Sequence, residues 1–84
     1  MRVLIIDDEK NIRISLSSIL EDEGYEVLSA ESGEEGLQLL TDNQIDLILL
    51  DVKLPGIDGI QVLEKVLENY PEMDVIMISG HSDI

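Results

Sequence analysis

Three aspartates stand directly after runs of apolar residues, at places where a fold can gather carboxylates for chemistry. Asp7 and Asp8 follow the apolar run 3–6, and Asp51 follows the apolar run 47–50. If both runs are neighbouring parallel strands, their carboxyl ends meet at one edge of the sheet and bring the three side chains together. Each pair of carboxylates then repels by about 4 kcal/mol at 4 Å and an effective dielectric near 20, so a cation or a proton must offset the cost.

A hard divalent cation is the simplest partner for these carboxylates. The chain has no cysteine and a single histidine, and a few carboxylates with water and phosphate are the usual ligands of Mg²⁺. Calcium fits less well, because no looped run of acidic ligands surrounds the aspartates. The alternative is that Asp7 and Asp8 only cap the first helix, a task that one aspartate can fulfil alone.

Four apolar runs of strand length are separated by three helical segments. These runs are 3–6, 27–28, 47–50 and 75–78. Three of them are continuous, which is typical of parallel strands buried on both faces, and the short second run suits an edge strand. The alternation predicts an α/β fold with a doubly wound parallel sheet and right-handed crossovers. In the flavodoxin-like strand order 2-1-3-4-5, the ligand crevice lies at the carboxyl ends of strands 1 and 3.

The helical segments carry start and stop signals. Gly24 suits the position that ends the first helix, and Ser32 with Glu35 three residues later predicts a capping box for the second. The third helix is predicted to begin near Asp58, with Gln61 three residues on, and to stop before a proline. Its expected inward residues are Ile60, Leu63, Val66, Leu67 and Tyr70.

The charge balance limits the partners of the chain. Among its 84 residues, 19 acidic and 5 basic residues give a net charge of −14, which repels polyanions, so direct contact with DNA or an anionic membrane surface is not expected. Most of the acids serve solubility. A chain of this length allows one domain at most. Without a signal segment, a membrane span or cysteines, the expected location is the cytoplasm.

Three short motifs resemble the receiver domain of two-component response regulators. They are Ile-Ile-Asp-Asp-Glu at 5–9, Leu-Leu-Asp-Val-Lys-Leu-Pro-Gly-Ile-Asp-Gly at 49–59 and Ile-Ser-Gly at 78–80. Their joint occurrence at the ends of the proper strands makes the resemblance specific, and it covers the whole chain. Within the second motif, Pro55 and Gly56 suit the centre of a type II turn. The segment 78–84 is similar to receivers of enhancer-binding transcriptional activators of the nitrogen-regulation type.

The resemblance implies a role for each site residue. Asp51 is the phosphoacceptor, and Asp8 and Asp51 are side-chain ligands of Mg²⁺, which Asp7 supports, often through water. The backbone carbonyl of Lys53 supplies a further metal ligand. Ser79 donates a hydrogen bond to the phosphoryl group and couples it to a change of shape. The implied partner is a sensor histidine kinase, and the implied output is transcription through other domains.

The resemblance also implies a longer domain than the one printed. A complete receiver continues with a further helix, a fifth strand carrying a lysine, and a final helix. We therefore expect residues 1–84 to be a receiver domain that is incomplete at its C-terminal end, truncated after strand 4. The run 75–78 would then form an exposed edge, for which homodimer formation or other self-association is expected.

Two other classes of function are open from the sequence. A phosphatase that forms an aspartyl phosphate also places an aspartate after a parallel strand, but it usually needs a second aspartate where this chain has Lys53. A pseudo-receiver would bind partners without phosphate, and the set of Asp7, Asp8 and Asp51 argues against it. The sequence therefore favours a phosphoaccepting signalling domain over an enzyme.

Overall fold

The computed structural model describes residues 1–78, which form four strands that alternate with three helices. These are β1 (Arg2–Ile6), α1 (Lys10–Asp22), β2 (Glu26–Ala30), α2 (Gly33–Asp42), β3 (Leu47–Asp51), α3 (Gly59–Asn69) and β4 (Asp74–Ile78). Each predicted strand and helix is present. None of the helices in this described part is both long and apolar enough to cross a bilayer.

The four strands form one parallel sheet in the order β2-β1-β3-β4. Val3 pairs with Val27 on one side and with Leu47 on the other, so β1 is central and β2 is an edge strand. This arrangement confirms the predicted doubly wound sheet and the order of its first four strands. The winding reverses between β1 and β3, which places a crevice at their carboxyl ends.

The central strands β1 and β3 are buried on both faces, which explains their continuous apolar runs. The run 75–78 is also predicted to be buried on both faces, but β4 is only half-buried and its Ile76 is 51% exposed. Alternate residues of a strand point to opposite faces, so β1 supplies two separate clusters. One contains Leu4 and Ile6 and packs under α2 and α3, and the other contains Val3 and Ile5 and packs under α1. These four side chains are at most 1% exposed.

Helix α3 buries a different face from the predicted one. Val62 and Val66 are 0% and 1% exposed and belong to the core cluster. The prediction is therefore right for Val66, right in part for Leu63, which packs half-buried against that cluster, and wrong for three other residues, which are 51%, 40% and 38% exposed. These are Ile60, Leu67 and Tyr70. Their exposure shows that spacing alone does not identify the buried stripe of this helix.

The helix ends follow the sequence signals with one difference. Asp58 accepts from the backbone N–H of Gln61 at 2.9 Å, and Gln61 accepts in return from the N–H of Asp58 at 3.0 Å, which completes a capping box. At α2, Ser32 accepts from the N–H of Glu35 at 3.2 Å, and among the described contacts the reciprocal half of the predicted box is not formed. Gly24 ends α1 with φ of 91° in a Schellman motif.

Candidate functional site

The carboxylates of Asp7, Asp8 and Asp51 meet at the carboxyl ends of β1 and β3. One oxygen from each residue lies within 4.8 Å of the others. Asp7 directly follows β1 and Asp51 is the last residue of β3, and the pairing of Ile6 with Leu50 sets the two strand ends side by side. The structure thus brings together the three carboxylates that the sequence predicts at this edge of the sheet.

Burial makes two of these charges costly. Asp7 and Asp51 are 1% and 0% exposed, whereas Asp8 is exposed. Asp7 Oδ1 accepts from the N–H of Glu9 at 2.8 Å, while Asp7 Oδ2 is buried and makes no hydrogen bond within residues 1–78. A buried anionic oxygen needs a charged or hydrogen-bonding partner. The cluster therefore offers hard oxygen donors and an unbalanced negative charge, which together suit Mg²⁺.

The capping alternative does not account for the pair of aspartates. The N-cap position of α1 is Glu9, so neither Asp7 nor Asp8 occupies it. Within the described part of the chain, the side chain of Asp7 accepts a hydrogen bond only from the N–H of Glu9 and so ties the strand end to the helix start. Asp8 instead presents its carboxylate on the exposed side of the cluster.

Two glycines shape the loop between β3 and α3, and one of them, Gly59, packs against the end of β3. Gly56 has φ of 75°, as the third position of a type II turn requires. Gly59 donates its N–H to the carbonyl of Val52 at 3.0 Å. A Cβ added at Gly59 would lie 2.8 Å from Val52 Cα and closer still to the carbonyl oxygen of Asp51. Helix α3 can therefore start directly against the end of β3 only because residue 59 has no side chain.

The structure describes Lys53 but not Ser79, the two other residues predicted for the site. The N–H of Lys53 donates to Asp51 Oδ1 at 3.1 Å, which fixes one oxygen of that carboxylate, and the Lys53 side chain is exposed. The role predicted for the carbonyl of Lys53 as a metal ligand stays a prediction. Ser79 lies outside the described residues.

Arg13 is a contributor to the site that sequence reasoning missed. Its Nη1 donates to the carbonyl oxygen of Asp7 at 2.7 Å, and its Nη2 lies 3.8 Å from Glu31 Oε2. The Arg13 side chain is only 16% exposed, against 69% for Glu31. A signal for it exists in the sequence, because a base near the N-terminus of a helix opposes the helix dipole and needs a partner elsewhere.

The sequence of this chain is similar to a known protein family and to several curated proteins. The family model of the response regulator receiver domain matches residues 3–84. The nitrogen assimilation regulatory protein NtrX of Azorhizobium caulinodans is 39% identical over 84 residues, which cover 98% of this chain and 18% of that protein. The chain also spans only 18% of the length of several other curated relatives that it matches.

Solved structures share the fold closely. The response regulator protein TrrA from Thermotoga maritima, in complex with Mg²⁺-BeF, has a TM-score of 0.91 and 38% identity, with coverage of 96% of this chain and 70% of that chain. TrrA in complex with the histidine kinase ThkA has a TM-score of 0.90 and 38% identity, with coverage of 98% and 71%.

Proposed function

Because the chain belongs to the family of response regulator receiver domains, we propose that it accepts a phosphoryl group on Asp51 with Mg²⁺ held beside it. The observation that carries the proposal is the convergence of Asp7, Asp8 and Asp51 carboxylate oxygens within 4.8 Å at the switch point of the sheet. Two of these residues are buried, and a cation offsets the cost of their charge. Residues 1–84 then act as a receiver domain or as part of one.

Asp51 acts as the nucleophile in this proposal. A carboxylate oxygen of Asp51 attacks phosphorus and forms the new P–O bond of an acyl phosphate, while the P–N bond to the donor histidine breaks and the imidazole leaves with the electron pair. The N–H of Lys53 holds Asp51 Oδ1 at 3.1 Å and so orients the carboxylate for attack. Positioning of this kind contributes much of the catalysis in phosphoryl transfer.

The metal ligands are assigned to the same edge. Asp8 and Asp51 would hold Mg²⁺ through their side chains, Asp7 would support it, and the backbone carbonyl of Lys53 would complete the protein ligands. When bound, Mg²⁺ neutralises charge on the phosphoryl oxygens. The Mg²⁺-BeF complex of TrrA, which is 38% identical, supports Mg²⁺ as the ion.

The phosphodonor in this proposal is a sensor histidine kinase, which the complex of TrrA with ThkA supports. The output is a change in transcription carried by other domains. The similarity to the nitrogen assimilation regulatory protein NtrX supports a regulatory output. Ser79 donates a hydrogen bond from its hydroxyl to the phosphoryl group in this proposal, so Ser79→Ala in a full-length regulator is expected to keep phosphorylation and weaken the response.

A phosphatase function gains no support from the residue at position 53. Lys53 stands two residues after Asp51, where a phosphatase of the aspartyl-phosphate type usually has an aspartate.

Intact-mass spectrometry with acetyl phosphate tests the proposal. The wild-type chain should gain the mass of one phosphoryl group in the presence of Mg²⁺ and none in the presence of EDTA. Asp51→Asn should gain none under either condition. Asp46→Asn is the matched control, because Asp46 bonds the N–H of Arg2 at the opposite end of the sheet, and it should react like the wild type. A phosphoryl gain in Asp51→Asn equal to that of the wild type would contradict the assignment.

A further inference from the structure

Arg13 connects three segments that surround the acidic cluster. It lies in the first turns of α1, its guanidinium donates to the carbonyl of Asp7, and it reaches toward Glu31 just after β2. Arg2, by contrast, bonds Glu26 and the carbonyl of Gln44. Those partners lie at the amino ends of the strands, so Arg2 is remote from the cluster.

The placement of Arg13 runs against the local preference of the helix. Helix α1 has no acidic residue in its first turn, and Lys10 and Arg13 put positive charge near its N-terminus. The helix dipole disfavours cations there. A largely buried guanidinium at this position is therefore held by its contacts outside the helix. Its hydrogen bond to the carbonyl of Asp7, at 2.7 Å, is shorter than its distance of 3.8 Å to the carboxylate of Glu31.

The hydrogen bond from Arg13 fixes the peptide group that joins Asp7 to Asp8. The N–H of Asp7 donates to the carbonyl of Ala30 at 3.1 Å, and Asp7 Oδ1 accepts from Glu9. With the carbonyl of Asp7 bound to Arg13, the backbone donor, the backbone acceptor and one carboxylate oxygen of this residue are all held. The direction in which Asp8 projects its carboxylate follows from the orientation of that peptide group.

We propose that Arg13 is a positioning residue for the metal site, and this inference rests on the proposed function. Its guanidinium holds the turn between Asp7 and Asp8 so that both carboxylates face Asp51 before a cation binds. Groups that orient metal ligands in this way typically change metal affinity by roughly tenfold to a hundredfold when they are removed.

The direction in which metal affinity changes distinguishes a positioning role of Arg13 from an effect of its charge. A guanidinium near a cation site repels the cation, so loss of its charge alone would tighten metal binding. Loss of its hydrogen bond to the Asp7 carbonyl would loosen the turn and weaken binding. The proposal therefore predicts weaker binding for Arg13→Gln, although this variant removes a positive charge.

Binding of Mn²⁺ as a probe for the divalent cation tests the proposal directly on the 84-residue chain. Electron paramagnetic resonance of free Mn²⁺ would give the dissociation constant, and thermal unfolding in EDTA would give the stability of each variant. Arg13→Gln should bind roughly tenfold or more weakly than the wild type. Arg2→Gln is the matched control, because it loses the same charge and a salt bridge of 2.9 Å, and it should bind like the wild type.

Two further variants sharpen the test. Arg13→Lys keeps the charge but loses the planar fork of donors, so it should also bind Mn²⁺ more weakly. Glu31→Gln removes the exposed partner at 3.8 Å and should leave binding unchanged. Wild-type affinity in Arg13→Gln, or tighter binding, would overturn the proposal. If Arg13→Gln does not fold, wild-type affinity in Arg13→Lys would overturn it instead.

The same measurements separate this inference from the proposed function. If the wild type does not bind Mn²⁺, both the metal site and the role of Arg13 in it are overturned. If the wild type and Arg2→Gln bind Mn²⁺ equally and Asp8→Asn does not bind it, the proposed metal site is supported. The affinity of the Arg13 variants then supports or overturns the positioning role alone.

Discussion

Replacement of Gly59 by alanine should damage both the fold and the site, because the new methyl group would meet backbone atoms. Its Cβ would lie 2.8 Å from Val52 Cα and 2.8 Å from the Val52 carbonyl oxygen. Backbone atoms cannot turn aside as a side chain does, and overpacking of this kind typically costs about 1–3 kcal/mol. Alanine recovers about 0.5–1 kcal/mol of helix propensity. The middles of these two ranges leave a net loss of about 1 kcal/mol, which lowers Tm by about 4–8 °C in a domain of this size.

Thermal unfolding followed by far-UV circular dichroism, with and without Mg²⁺, measures this loss. Gly24→Ala is the control, because a Cβ there meets no atom within 4 Å and only the φ of 91° is strained. That strain costs roughly 1–2 kcal/mol, so both variants should lose similar stability. Only Gly59→Ala should also bind Mg²⁺ more weakly, because it displaces the loop after Asp51. A Gly59→Ala variant with wild-type Tm and wild-type metal affinity would refute the packing argument.

Three other variants test separate features. Asp58→Ala removes a complete capping box and should lower the free energy of unfolding, measured with urea, by about 1 kcal/mol. Ser32→Ala should lower it by less, and a larger loss for Ser32→Ala than for Asp58→Ala would contradict the observed caps. Ile76→Lys places a charge at a position of β4 that is 51% exposed, so light scattering should show less self-association at unchanged Tm. Asp8→Asn relieves repulsion that water screens, because Asp8 is exposed. It should raise the free energy of unfolding in EDTA by about 1 kcal/mol and should abolish stabilisation by Mg²⁺.

The strands and the acidic cluster could be predicted because their signals are local. A strand buried on both faces must be continuously apolar, and a polar residue directly after it must emerge at the sheet edge. Asp7 and Asp51 follow such strands, and parallel pairing then determines that they meet. The position of the cluster needed no knowledge of side-chain packing.

The buried face of α3 could not be predicted, because distant glycines determine it. The helix has apolar residues on two adjoining stripes, and the sequence favours the bulkier one. A Cβ added at Gly33 in α2 would lie 2.5 Å from Val62 Cγ2, so α2 can approach Val62 this closely only because residue 33 has no side chain. Together with the close start of α3 at Gly59, this contact turns Val62 and Val66 toward the core. The sequence signals that Arg13 needs a partner outside its helix but does not identify it, because that partner is the backbone carbonyl of Asp7.

The central position of β1 has a kinetic consequence. Parallel strands can pair only after the chain between them has closed a loop, and the entropy of closure delays such pairing. Asp7 and Asp51 meet only when β1 has paired with β3. The chain between these two strands contains α1, β2 and α2, so a cation would gain its ligands late in folding. Contacts formed after the transition state slow unfolding and leave the folding rate unaltered. A bound cation is therefore expected to lengthen the lifetime of the folded sheet without hastening its assembly.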